Sequence, residues 1–391
     1  MHIAIDCRWI RSQEIDGIGR YTLNIVRALL PLAEGNNVTL IFSDPKLEKW
    51  VGKVLGIEQF DFVSTYRLNY SVMTPSDVLY GGRDIADIEP DVLFEPNYIT
   101  GAFHASYETI VVVHDLTPLI YYDEVCTSWR WKLLYGIPLF LQTIFRWSAA
   151  IITVSEHTRD DLHQHFPVSA EKTSVIHESC DPKFFQEFSE GEISEVKGTY
   201  DIPDQYVLCV SRHESYKNLD GLAEAYRHLP NALAQDYPLV LTGSFHEDWS
   251  PRLKRSMKDL IEQEKVMFTG FVADEHLGAV YQGATLFCLP SKYEGFGLPV
   301  LEAMASGCAV AASRRASIPE VAGEAAAYFD PEQPREIAET LQSLLIDPSR
   351  REKLVEEGHQ QVQKFSWDSA AQGVFQECSR YSNARHATPR T

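Results

Sequence analysis

The sequence predicts an α/β protein built from two open, mostly parallel sheets, and three observations lead there. Short apolar runs alternate with longer amphipathic stretches, the pattern of β-strands covered by helices. The loops that carry reactive residues recur just beyond the C-terminal ends of those runs, where open parallel sheets bind ligands. The chain has 391 residues, more than one domain usually holds. Two such domains facing each other predict a deep cleft and a divided substrate site.

In chain order, HIAI at 2–5 reads as the first strand, and YTLNIVRALLPLA at 21–33 as a helix ended near Pro31. VTLIF at 38–42, DVLFEP at 91–96, TIVVVHD at 109–115 and AIITVSE at 150–156 continue the strand signals. The charged, poorly periodic segment 187–204 breaks the pattern. A second alternation follows, with strands YVLCV at 206–210, PLVLTG at 238–243, KVMFTG at 265–270, ATLFCLP at 284–290 and CAVAAS at 308–313. Helices are expected over 218–229, 251–263, 297–306 and 334–345, and a last one over about 367–381, with a loose tail beyond it. The domains are therefore set at 1–185 and 186–366, followed by a C-terminal helix and tail over 367–391.

Composition removes several function classes. A hydrophobic share of 45% with 22 glycines and 20 prolines is globular, neither disordered nor collagen-like. The 35 Lys and Arg against 55 Asp and Glu leave a formal charge of -20. A general nucleic-acid binder needs a basic footprint, so no nucleic-acid partner is expected. Seven cysteines, an odd number without a C-x-x-C pair, point to a reducing cytoplasm. The start MHIAIDCRWIR lacks the apolar core of a signal peptide. No apolar run approaches the ~20 residues of a membrane span.

The densest chemical signal is SKYEGFGLPVLEAMASGCAVAAS at 291–313. Gly295 and Gly297 permit close backbone approach, and Pro299 suits an early helical position. Backbone N–H groups at that helix start can hold phosphate or sugar oxygens. Glu294 precedes the helix, where a carboxylate accepts from sugar hydroxyls, and Glu302 follows about two turns later. A glycine turn with two solvated glutamates is the plain alternative. In SRHESYKNLDGLAEAY at 211–226, Arg212 offers a fork of donors and Lys217 a compact cation, together a clamp for a diphosphate. As isolated residues, both read equally well as surface charges beside a turn.

In the first half, DGIGRYTLNIVRALL at 16–30 sets Gly17 and Gly19 before a helix, able to present N–H groups to phosphate or acceptor hydroxyls. It differs from the dinucleotide pattern G-x-G-x-x-G, and a turn with a cap explains it too. VVVHDLTPLIY at 111–121 puts His114 and Asp115 after an apolar strand. His114 can donate to a leaving phosphate or sugar hydroxyl, while Asp115 can fix its ring or accept from substrate. Ser155 reads first as a helix cap. His157, His163 and His165 lack a matching metal constellation, so no metal site is expected. TSWRWKLLYGIPLFLQTIFRWSAA at 127–150 mixes aromatic residues with Arg130, Lys132 and Arg146. It reads as core or interdomain packing, or as a membrane-facing patch or acceptor groove.

The paired glutamates around EGFG, with Arg212 and Lys217, resemble the retaining glycosyltransferases of family 4, and the likeness covers most of the chain. The resemblance implies a GT-B fold, two Rossmann-like domains across a cleft, the first on the acceptor side and the second holding a nucleotide-sugar donor. The final helix would return to the first domain. It implies that Glu294 contacts the transferred sugar and Glu302 the donor ribose. Backbone groups at Phe296, Gly297 and Leu298 would assist sugar and phosphate binding. Arg212 and Lys217 would hold the diphosphate, with His114 at the sugar-phosphate end. Where the family often has Gly-Arg, this chain has Ser211–Arg212. SRRASIPEVAGEAAAYFDP at 313–331 extends the likeness, with Ser317 and Glu320 capping or bracing a turn.

What the resemblance implies is retaining transfer without metal or further cofactor, the nucleotide sugar being a substrate. The combined GIGRY, HD and YKN pattern resembles bacterial polysaccharide mannosyltransferases, which suggests GDP-mannose; UDP-glucose and UDP-N-acetylglucosamine stay open. The acceptor is expected to be a glycan, lipid-linked, at the cytoplasmic face of a membrane with peripheral association. A nucleotide-sugar epimerase and a noncatalytic component of polysaccharide machinery are the competing readings. Oligomeric state is not legible.

Overall fold

A computed structural model describes residues 1–391 except 14–15, 127–128, 137, 244–248 and 388–391. The chain divides into two compact units. The first comprises Met1–Tyr122, Cys126–Glu178 and Ser366–Thr391, and the second Asp123–Val125 and Ser179–Phe365.

The first unit holds β1 (His2–Asp6), β2 (Asn37–Phe42), β3 (Val63–Arg67), β4 (Val92–Glu95), β5 (Glu108–Val113), β6 (Ala150–Thr153) and β7 (Thr173–Val175). Their order is β3-β2-β1-β4-β5-β6-β7, parallel throughout. Ile3 faces both Val38 and Val92 in register, so the order reverses at β1 and β4. The second unit repeats the scheme with β8 (Val207–Val210), β9 (Leu239–Thr242), β10 (Val266–Gly270), β11 (Leu286–Leu289), β12 (Val310–Ser313) and β13 (Ala327–Phe329). Its order is β10-β9-β8-β11-β12-β13, again parallel, reversing at β8 and β11. Both sheets are the doubly wound, Rossmann-like kind. The inner strands β4, β6, β9, β11 and β12 are buried along their whole length, which is why each reads as an apolar run rather than an alternation.

Three strands escape the sequence pattern. β3 is VSTYR, half exposed at one edge of its sheet, and β7 is only TSV at the other. β13 is the three-residue edge AYF. An edge strand is covered on fewer sides and needs less apolar surface to stay paired. The helix Gly17–Leu32 begins four residues before its expected start, because Asp16 caps it, and it runs through Pro31. Near the helix end that proline removes only one donor, and Ala33 N closes the last turn on Leu29 O and Leu30 O. The span expected as one helix at 251–263 is two, Trp249–Ser256 and Lys258–Glu262, offset at the buried Met257.

The last helix, Trp367–Ala387, extends beyond the expected 381. Ala370, Ala371, Val374, Cys378 and Ser382 form one buried stripe at spacings of one, three and four residues. The stripe belongs to the first unit, where the helix packs on Gly17–Leu32 and Tyr21 meets Trp367 edge to face at 5.8 Å. Ser382 carries the stripe one position past the expected end. Among the described residues no helix is long and apolar enough to cross a membrane.

Candidate functional site

In the second unit Lys217 and Glu294 follow the C-terminal ends of β8 and β11, the reversal point of the sheet, and Ser317 and Glu320 follow β12. Lys217 ends a short 3-10 turn, Ser215–Lys217, and Asn218 follows in the left-handed region with φ of 59°. The Asn218 amide donates to Pro290 O at 3.1 Å and to Pro331 O at 2.7 Å, and Lys292 N donates to Tyr216 O at 2.8 Å. These bonds lash the turn after β8 to the loop after β11. Lys217 Nζ consequently lies 2.8 Å from both Glu294 oxygens. Ser291 Oγ donates to Glu294 Oε1 at 2.6 Å, and Ser313 Oγ holds Ser291 O at 2.5 Å.

The EGFG turn has its own brace. Ser317 Oγ lies 2.8 Å from both Glu294 O and Phe296 O. Ser317 is buried, as a turn-bracing residue should be. Gly297 sits at φ of 98°. A Cβ there would meet nothing closer than Ile318 Cγ1 at 3.8 Å, so backbone conformation rather than space calls for glycine. Leu298 opens the following helix, Leu298–Ala305, with Pro299 in its first turn, and Phe296 packs on Phe365 at 5.7 Å. Glu302 lies on this helix, almost buried, and Tyr281 Oη donates to its Oε2 at 2.9 Å.

Arg212 stands apart from the Lys217–Glu294 pair. Its guanidinium is largely exposed and pairs with Glu214 at 3.0 Å. Behind it, Gly243 at φ of 151° passes so close that a Cβ would stand 1.9 Å from Ser211 O. Glu320 lies half-buried in the short helix Ile318–Ala322.

The remaining expected residues belong to the first unit. His114 follows β5, with Nε2 donating to Pro96 O at 2.7 Å and Nδ1 at 2.8 Å from Glu178 Oε1. Both partners are acceptors, which favours a proton on each ring nitrogen. Burial opposes that charge, but the Glu178 hydrogen bond and charge, with the Pro96 carbonyl, raise the imidazole above its ordinary value. Tyr21 covers the ring edge to face at 4.7 Å. Asp115 does not orient His114, one of its two expected roles. Its Oδ1 accepts from Thr117 N at 2.8 Å, while Glu178 takes the ring.

Ser155 Oγ accepts from Thr158 N at 3.0 Å and caps the helix Glu156–His165. Gly19 N donates to the Asp16 carboxylate at 2.8 Å, so its N–H serves the cap. Gly17 is exposed and open, a Cβ there meeting nothing within 4 Å.

Sequence reasoning did not single out Glu178, Tyr281 or Ser291, and Asn218 entered it only as part of the YKN segment. HESCDP around Glu178 carries no periodic signal, and Tyr281 reads as one more helix aromatic. Ser291, directly ahead of the EGFG turn, was the one legible in place.

Comparison with known proteins gives a consistent result. A model described as "Glycosyltransferase Family 4" matches residues 15–184, and one described as "Glycosyl transferases group 1" matches residues 193–361. The serotype-specific mannosyltransferase WbdA of Escherichia coli is 26% identical over 99% of this chain and 49% of its own length. This chain thus spans about half the length of those first relatives. The O-antigen chain mannosyltransferase B of Escherichia coli is 28% identical, covering 91% of this chain and 93% of that protein. Among solved structures, Anabaena HepE, crystallised with UDP and glucose, aligns over 97% of this chain and 100% of its own with TM-score 0.73 at 18% identity. WaaG, described as a glycosyltransferase involved in lipopolysaccharide biosynthesis, aligns over 95% of this chain and 98% of its own with TM-score 0.67 at 14% identity. Those two likenesses establish a common fold, GT-B.

Proposed function

Because the chain belongs to the family-4, group 1 glycosyltransferases, we propose that it transfers a sugar, with retention, from a nucleotide-diphosphate sugar to a glycan. The observation that carries this reading is the Lys217–Glu294 pair, with Nζ 2.8 Å from both carboxylate oxygens at the reversal point of the second sheet. An ammonium and a carboxylate so placed match the two needs of the donor. Lys217, with Arg212, stabilises the charge that develops as the nucleoside diphosphate departs. Glu294 accepts from hydroxyls of the transferred sugar, supported by Ser291 and by the turn that Ser317 braces. Phe296, Gly297 and Leu298 present backbone groups to sugar and phosphate.

In this reaction the acceptor oxygen bonds to the anomeric carbon as the bond to phosphate breaks. The acceptor proton passes to a phosphate oxygen, all on one face of the sugar. The second unit holds the donor and the first receives the acceptor, with His114 and Glu178 a fixed polar pair. GDP-mannose is the proposed donor, supported by mannosyltransferase relatives that include one matched along 93% of its length. A lipid-linked oligosaccharide at the cytoplasmic face of a membrane is the proposed acceptor.

The test is a screen of GDP-mannose, UDP-glucose and UDP-N-acetylglucosamine against lipid-linked and free oligosaccharides, with mass and anomeric analysis of products. An α-linked mannoside is expected. A donor converted without acceptor would instead identify an epimerase, and binding without any product a noncatalytic component.

A further inference from the structure

Glu302 is held from behind by a residue that no substrate could reach. Tyr281, on the helix Leu277–Gln282, is fully buried, and its hydroxyl donates to Glu302 Oε2 at 2.9 Å. Its ring is fixed on two sides, by Phe184 at 5.7 Å and Phe287 at 5.4 Å, both edge to face. Burial, then the charge of Glu302, raises the phenol well above its ordinary value, so it remains a donor. The terminal torsion of a glutamate is broad and two-fold, so a free carboxylate samples many orientations. A donor carried on a locked ring restricts that freedom.

We propose that Tyr281 is a positioning residue that sets the plane of the Glu302 carboxylate for recognition of the donor's ribose hydroxyls. The inference rests on the reading of Glu302 as the ribose contact. A carboxylate oxygen has two acceptor sites. Oε2 can therefore keep Tyr281 while it takes a ribose hydroxyl. Tyr281 touches no reacting atom; it acts through Glu302.

The test measures equilibrium binding of GDP and UDP, each against its 2′-deoxy and 3′-deoxy forms, to the full chain and to Tyr281→Phe. Phe keeps the ring contacts and removes only the hydroxyl. The wild type is expected to bind the better nucleotide about tenfold more tightly than its deoxy form, the loss of one hydrogen bond to a charged group. In Tyr281→Phe that ratio should fall to about threefold, while binding of pyrophosphate stays unchanged. Phe287→Leu, which loosens one side of the ring but keeps the hydroxyl, should keep a ratio closer to the wild type than Tyr281→Phe does.

A full ribo-to-deoxy ratio in Tyr281→Phe would overturn the positioning role and leave the Glu302 assignment standing. A wild type that binds ribo and deoxy forms alike would overturn that assignment, and the role of Tyr281 with it. Equal loss of both forms in Tyr281→Phe and Phe287→Leu would mark Tyr281 as packing only, again against the proposal.

Discussion

At the scale of single residues, the Lys217–Glu294 pair links stability to chemistry. Both side chains are about nine-tenths buried, at 13% and 10% exposure. Removing one partner leaves the other charged and enclosed, the situation that makes broken buried pairs costly. Lys217→Ala should therefore lower unfolding free energy by about 3 kcal/mol in urea titration, and adding Glu294→Ala should restore part of it. A loss below about 1 kcal/mol would place the pair in the weak class of solvent-screened bridges. The residue types of this pair were legible from the EGFG turn and the YKN segment. Their contact was not, because 77 positions separate them and only the parallel crossover between β8 and β11 brings them together.

At the scale of elements, strand ends decide what the loops can do. In the first unit, β1 ends at Asp6 and β4 at Glu95, and the helix Pro75–Ala86 contributes Asp77. All three carboxylates surround Arg8, which bonds Asp6 at 2.5 Å and Asp77 at 2.7 Å. One cation cannot balance three anions. Glu95 responds: burial first, and the charge of Asp6 next, push its carboxyl well above the ordinary value despite Arg8. A group whose pKa is raised by folding contributes stability below its unfolded value, near 4.5, and loses it as pH rises through the folded value. Glu95→Gln, which keeps an acceptor for Thr100 Oγ1, should thus gain on the wild type as pH climbs from about 4.5 toward 8. Parallel unfolding curves at both ends of that range would count against a protonated Glu95. Inner strands and capped helices were readable at this scale, since burial on both faces writes itself as apolar runs. The edge strands β3 and β7 were not, because a half-covered strand tolerates polar residues, and β13, three residues long, is too short to show a pattern.

At the scale of the whole molecule, the second unit interrupts the first. Ser179 Oγ donates to Phe365 O at 3.1 Å, so the unit's main segment begins and ends at one place. It also has its own sheet and a core running from Val207 through Leu354. A fragment spanning 179–365 should therefore unfold cooperatively by itself. Residues 1–178 should not, because Ala371, Val374 and Cys378 of the last helix complete the first unit's core. Cooperative melting of 1–178 without the 366–391 segment would refute that division.

The sequence by itself determined the α/β alternation, the positions of the inner strands and the EGFG turn with its paired glutamates. Each of these depends on interactions local in the chain: burial on both faces of a strand, a left-handed glycine, a capped helix start. Only the tertiary structure decided that Lys217 faces Glu294, that Tyr281 stands behind Glu302 and that Glu178, rather than Asp115, holds His114. Those contacts join residues 21 to 77 positions apart. No local pattern encodes them, because a parallel sheet brings distant strand ends together through crossovers whose length and order the neighbouring residues do not specify.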